Sequence, residues 1–294
     1  MSRRHRANPL ASLRAEKTFG SPVLFSGVGT LVLSKPEIDV LSQHVKTTTE
    51  NLLKLYPKTP ESFIFLVSGS MPAKAVLHMR QLSLFSMICR LPGNILNNLA
   101  RQILLSEKKE MTWFGQIESA CYQYALPHPL QLLDNPPEKE SFKKLTKLRV
   151  AEYWQLHLRN KIVEDQLTSL EYFKPEYCSL LKPHPILYTA ASAYEVNKMI
   201  VQLRLLSGRA RLGSLTRHFS PQNGGVCELC NDELEDLDHF LLPRCEALKD
   251  RAEILLTYMS DILIASNFYS QIFESILARS QQRSKIWTVF NTIE

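Results

Sequence analysis

The sequence predicts a mainly α-helical chain: a helical connector domain, then a small Cys/Cys/His/Cys zinc module, then C-terminal helices. Two observations carry that expectation. Apolar residues recur at helical spacing through most of the chain, between capping residues and proline or glycine stops. Near the C-terminal end, Cys227, Cys230, His239 and Cys245 stand as C-x2-C-x8-H-x5-C, a compact zinc-type spacing. The expected division is a basic mobile arm over residues 1–20, a helical connector over 21–178, a basic helix plus zinc module over 179–250, and helices over 251–294.

Composition bounds the function. The chain has 294 residues, which suits one large or two modest domains. Its hydrophobic share of 45% is ordinary for a packed globule. No apolar run approaches the roughly 18 residues that span a bilayer, and FIFLV at 63–67 is far too short, so no membrane partner is expected. The N-terminus is basic, but no apolar stretch follows as in a secretory signal. Cys89, Cys121 and Cys178 are scattered singly and read as buried, unbridged thiols. That usage fits a reducing compartment, hence the nucleus, the cytoplasm or both. Net charge is +6, and Arg3, Arg4, Arg6, Arg14 and Lys17 against Glu16 alone place most of it in the first 17 residues. Any contact with nucleic acid must therefore be local. The basic arm suits phosphate contact or nuclear import, or equally a solvated tail.

The elements follow in order. Residues 21–33 are apolar and glycine-broken, extended or a short buried helix. Ser34 caps a helix with Pro36 in its first turn and Glu37 as its capping-box partner. Ile38, Leu41, Val45, Leu52 and Leu55 continue it until Tyr56-Pro57. A second helix begins near Ser70, with Pro72 in its first turn. Val76, Leu77, Met79, Leu82, Leu84, Phe85, Met87 and Ile88 leave it little polar face, so it should be central and buried. His78 on it reads as a satisfied core group rather than a catalyst. Pro92-Gly93 breaks it.

Two shorter amphipathic helices come next, with stripes Ile95/Leu99/Ile103 and Trp113/Ile117/Cys121/Tyr124. The proline-rich stretch 126–137 cannot be regular helix and reads as a rigid connector. Residues 138–166 are helical again, with Val150, Trp154 and Leu158 on one side. Lys143, Lys144 and Lys147 crowd the start of that helix, beside Arg149; they suit phosphates, or a solvated basic face. Pro175, Pro183 and Pro185 mark a second rigid linker and a plausible boundary. A helix from about Tyr194 then turns Val196, Ile200, Leu203 and Leu206 inward and closes at Gly208 in a left-handed cap.

From Val196 to Val226 the chain holds Lys198, Arg204, Arg209, Arg211 and Arg217 and no acid, with His218 and Phe219 beside the last arginine. Cations next to an aromatic residue suit a nucleic-acid backbone and a stacked base. The zinc module follows directly. Three thiolates and an imidazole make a closed tetrahedral set, structural rather than catalytic, for one Zn2+. Gly224 and Gly225 supply the entry turn. Asp232 caps a short helix with Glu235 as box partner, and His239 lies near its end. Pro243 then turns Cys245 back toward the ion. The alternative is three unrelated buried thiols and a surface histidine. Glu228, Asp232, Glu233, Glu235, Asp236 and Asp238 make the loop between the ligands acidic, so the arginine segment, not this loop, is the expected approach face. Beyond Cys245 the pattern is helical to the end.

Several motifs, in one order, carry a resemblance: GSMPAKAVLHMRQLSLFSMICRLPGN, WF-x2-I, YALPHPLQLLDNPP, FKKL-x3-RVAEYW, SLEYFKPEYCSLLKPHPI, YEVNKMIVQLRLLSGRARLGSLTRHFS and the final Cys/His set. Together they resemble the region that follows the reverse transcriptase in the long open reading frame of non-LTR retrotransposons. The resemblance covers residues 20–250. It implies that Cys227, Cys230, His239 and Cys245 are the ligands of a module that helps to hold template nucleic acid. It also matches Arg204, Arg209 and Arg211 to the basic segment before that module. The sequence departs from the family's polymerase in having no Asp-Asp pair and no glycine-rich phosphate loop. Two-metal catalysis needs converging carboxylates, so no catalytic residue is expected, and the chain looks like the post-polymerase part alone or a truncated copy.

The expected function is therefore non-catalytic: a zinc-binding module associated with RNA or single-stranded DNA, in a retrotransposon-derived protein. Two alternatives stay open. One is a protein-interaction scaffold with purely architectural zinc. The other is an accessory part of a reverse transcriptase, active only with a polymerase domain in the same or another chain.

Overall fold

Ten α-helices organise the described part of the chain, which in this computed structural model comprises residues 7–107, 111–166, 173, 178–189, 192–208, 224–235 and 239. They are α1 (Pro9–Ala15), α2 (Ser21–Leu24), α3 (Lys35–Leu52), α4 (Glu61–Ser68), α5 (Ala73–Cys89), α6 (Ile95–Leu105), α7 (Trp113–Gln123), α8 (Pro129–Asp134), α9 (Lys139–Gln166) and α10 (Ala193–Leu206). Among the described residues there is no β-strand, only isolated bridges. The chain divides into two compact units, Met1–Gly208 and Arg209–Glu294. All ten helices belong to the first.

The centre of that unit is α5. Ala73, Ala75, Leu77, Leu82, Phe85 and Cys89 are buried around it, as its near-continuous apolar sequence requires. Helix α9 packs along it, and α3, α7 and α8 take other sides. Val150, Leu158 and Ile162 are the fully buried contacts that α9 brings. The stretch 25–33 straps over α5 and α7 through its carbonyl groups. Arg80 donates to the Phe25 carbonyl at 3.1 Å and stacks over the Phe25 ring. Trp113 Nε1 donates to the Gly29 carbonyl at 2.8 Å.

The local signals at helix ends hold. Ser34 and Glu37 form a capping box at α3, and Ser192 and Glu195 form another at α10. Gly208 closes α10 at φ +63°. Val196, Ile200, Leu203 and Leu206 are buried, as the spacing predicts.

His78 is a core group. Its Nδ1 lies 2.8 Å from the Tyr124 hydroxyl, which also accepts from Trp154 Nε1 at 3.1 Å. With the ring neutral and its proton on Nε2, Nδ1 accepts the hydroxyl's proton. Burial, helped by the charge of Lys74, holds His78 down to about 4. His184 is held to about 4 by burial as well.

Five expectations change. The segment read as a mobile arm is folded from Pro9 onward, because Leu10 and Leu13 are buried and α1 packs on α3. The stretch 126–137, read as a connector without regular helix, holds α8, because Pro129 stands in the first turn, where its missing N–H costs nothing, and Leu132 and Leu133 are buried. The apolar run 63–67, for which the sequence predicts no element, is α4, with Phe63, Ile64, Phe65 and Leu66 wholly buried. A helix buried on every side shows no amphipathic period. The Ile95/Leu99 stripe of α6 is exposed, and Asn97, Ala100 and Leu104 face inward instead.

Finally, residues 178–187 are not a linker between domains. Leu181 N–H donates to the Gly69 carbonyl at 3.1 Å, and His184 N–H donates to the Val67 carbonyl at 2.9 Å. Leu180, Ile186 and Leu187 are buried. The unit boundary accordingly falls after Gly208, not at 178.

Among the described residues no single helix is long and apolar enough to cross a membrane. Helices α4 and α5 reach that hydropathy only as a pair bent by 58°, and their apolar side chains make the core.

Two predictions follow from these contacts. At Gly69, φ is +62° and an added Cβ would lie 2.3 Å from the Lys182 carbonyl group. Gly69→Ala should cost on the order of 3 kcal/mol, left-handed strain plus overlap. Gly27→Ala, at φ +71° with nothing within 4 Å, should cost only the strain. Urea denaturation of both variants measures the difference. The second prediction concerns pH. His78 and His184 have folded values near 4 against 6.5 for an ordinary histidine. Between those values the unfolded chain binds the extra protons, so stability falls as pH falls. Each histidine should remove about 2 kcal/mol between pH 7 and pH 5, and His78→Gln should shrink that loss in the same denaturation series.

Candidate metal centre

In the second unit, residues 224–235 form a short hairpin built on backbone hydrogen bonds. Cys227 N–H donates to the Glu233 carbonyl at 2.8 Å, and Glu235 N–H donates to the Gly225 carbonyl at 2.9 Å. Val226 and Leu234 pair in an antiparallel bridge. Asn231 N–H donates to the Cys227 carbonyl at 2.8 Å and closes the turn that carries both cysteines. Asn231 sits at φ +54°, a left-handed turn position that asparagine tolerates better than most residues. Gly225 enters the hairpin at φ +82°.

At residues 232–235 this geometry replaces the helix start expected at Asp232. Leu234 is paired with Val226, and the Glu233 and Glu235 backbones are bonded across the hairpin, so Asp232 and Glu235 do not form a capping box. His239 does have helical backbone.

The turn brings Cys227, Cys230 and His239 together, with their donor atoms all within 4.8 Å of one another. Among the described residues it is the one group of three such side chains close enough to share an ion. Cys227 and His239 are buried, and Cys230 is half-buried. The Cys230 sulfur lies 3.4 Å from His239 Nε2. A sulfur and a ring nitrogen bound to one tetrahedral zinc would be about 3.5 Å apart, so this pair has a spacing that zinc accepts. The opposite ring nitrogen, Nδ1, lies 3.2 Å from the Glu233 carboxylate. Burial works against a charged ring here, but the Cys227 sulfur and the Glu233 carboxylate outweigh it and raise the proton affinity of His239.

The residues fit a soft or borderline cation that takes thiolate and imidazole. Cys245, the expected fourth ligand, lies outside the described residues. Glu233 is the site residue that the sequence did not single out. It is one of six acids between Cys227 and His239, and nothing in their spacing marks which one reaches the ring.

The other cysteines are poor competitors for an ion. Cys89, Cys121 and Cys178 are buried, and none is in a disulfide. Burial pushes the Cys89 and Cys121 thiols up to about 12, which withholds the thiolate form that metals need.

The basic residues have different fates. Lys143, Lys144 and Lys147 are exposed on the first half of α9, and Lys143 and Lys147 are one turn apart on the same side. Arg204 is engaged within the first unit. Its Nε donates to the Lys54 carbonyl at 2.8 Å, and its guanidinium lies over the Tyr56 ring at 4.3 Å. Arg209, Arg211, Arg217 and His218 lie outside the described residues.

No family model matches this chain, and neither a curated protein nor a solved structure matches it.

Proposed function

We propose that this chain is a non-catalytic, zinc-binding and nucleic-acid-associated region of a retrotransposon-derived protein. One Zn2+, held by Cys227, Cys230, His239 and Cys245, would structure the C-terminal lobe. The observation that carries the reading is the convergence of Cys227, Cys230 and His239 on a hairpin turn, with donor atoms within 4.8 Å of one another. The order of sequence motifs supports the retrotransposon origin. The run without acids from Val196 to Val226 supports contact with RNA or single-stranded DNA.

Within that reading the cations divide by availability. Lys143, Lys144 and Lys147 are exposed and suited to phosphates. Arg209, Arg211, Arg217 and His218 form the segment that runs into the hairpin. Arg204 instead clasps the end of α10 to Lys54 and Tyr56.

A second reading has its own support. The tip of the hairpin exposes Leu229 (60% accessible) between the exposed acids Glu228 and Asp232. An apolar residue in an acidic setting suits a protein partner better than a phosphate backbone. In that case the metal is architectural and the chain is an interaction scaffold.

Metal analysis tests the first half of the proposal. The purified chain should carry close to one zinc, lost in Cys227→Ser and in Cys230→Ser, and a folded chain that takes up no zinc would reject the site. Polarisation binding to labelled single strands across a salt series tests the second half. Arg209→Ala with Arg211→Ala should weaken affinity and reduce the salt slope by about 2, whereas Arg204→Ala should leave affinity unchanged and lower stability. Absence of any affinity at low salt selects the scaffold reading.

A further inference from the structure

We propose that Glu233 is the positioning residue of the metal centre, fixing both a sulfur ligand and the ring ligand through one side of the hairpin. This rests on the metal-centre reading above and adds a residue to it. Two contacts made by different parts of Glu233 carry the inference. Its backbone carbonyl accepts from Cys227 N–H at 2.8 Å. Its carboxylate meets His239 Nδ1 at 3.2 Å. The residue therefore ties the first cysteine and the histidine to one point of the chain.

The ring geometry gives the contact a function. His239 Nε2 is the nitrogen beside the Cys230 sulfur, 3.4 Å away, and Nδ1 is the one held by Glu233. A carboxylate on Nδ1 fixes the proton there and leaves the Nε2 lone pair for the ion. It also turns the ring so that this lone pair points at the sulfurs. Carboxylate partners of ligating histidines act in this way, and their loss typically weakens metal binding 10- to 100-fold.

Charge in the loop alone would not do the same. Glu228 and Asp232 are exposed, and neither makes a described contact with the ring. They supply negative potential to the same hairpin without orienting a ligand, which makes Glu228 the natural control.

The test is zinc titration of the full-length chain against a chelator of known affinity, with the ring tautomer read by long-range nitrogen NMR. Glu233→Ala should bind one zinc about tenfold more weakly than the parent chain. Glu233→Gln should fall between them, because its amide oxygen still accepts from Nδ1. Glu228→Ala should match the parent. In the loaded parent chain the His239 Nδ1 proton should be protected from exchange with water, and Glu233→Ala should lose that protection. Equal zinc affinity in Glu233→Ala and the parent overturns the positioning role while leaving the metal centre standing. An equal loss in Glu228→Ala overturns it too, because the effect is then loop charge. If the parent chain takes up no zinc, the metal centre and the positioning role fall together.

Discussion

Helix α5 imposes the strongest constraint on the first unit. A helix with so little polar surface cannot rest on one neighbour; it has to be enclosed. The helices α3, α7, α8 and α9 and the strap at 25–33 supply that enclosure. The few polar groups on α5 are then committed to particular partners, His78 to Tyr124 and Arg80 to Phe25. Buried polar pairs of this kind add little net stability but select one arrangement, because any other leaves a group without its bond. The central position of α5 thus sets where the surrounding helices sit, and the polar pairs set their register.

The second unit works on the opposite principle in its described part. The hairpin at 224–235 has few apolar side chains to bury, and its form comes from backbone hydrogen bonds and left-handed turns at Gly224, Gly225 and Asn231. A segment of this size cannot offset its ordering entropy by burial alone. A closed set of metal ligands is one way to supply the missing free energy, since the ion binds the folded arrangement far better than the unfolded one. The sulfur and ring donors converge where that account requires them.

Much of the first unit was legible in the sequence because its signals were local. Ser34 with Glu37, Tyr194 onward to Gly208, and the long helix over 138–166 are each specified by residues a few positions apart. The misread parts depend on long-range partners. Helix α4 was hidden because its surroundings, not its own period, cover it. The stretch 178–187 looked like a linker because prolines signal rigidity, and nothing local announces that Gly69 waits for its backbone. The same division holds at the candidate metal centre. Cys227, Cys230 and His239 were marked by their spacing. Glu233 was not, because a carboxylate that serves a ring six residues away has no fixed offset to betray it. Leucine and isoleucine on α6 misled for a related reason: a stripe tells which side is apolar, not whether anything covers it.

The two thiols held protonated on α5 and α7 have a practical consequence for anyone handling the molecule. Cys89 and Cys121 keep their protons far into alkaline solution. An electrophile or an oxidant added near neutrality therefore finds little nucleophilic sulfur on those two helices. A labelling reagent applied near neutrality should therefore reach these two sulfurs only once the helices around them open, so that their alkylation marks the unfolding of the first unit.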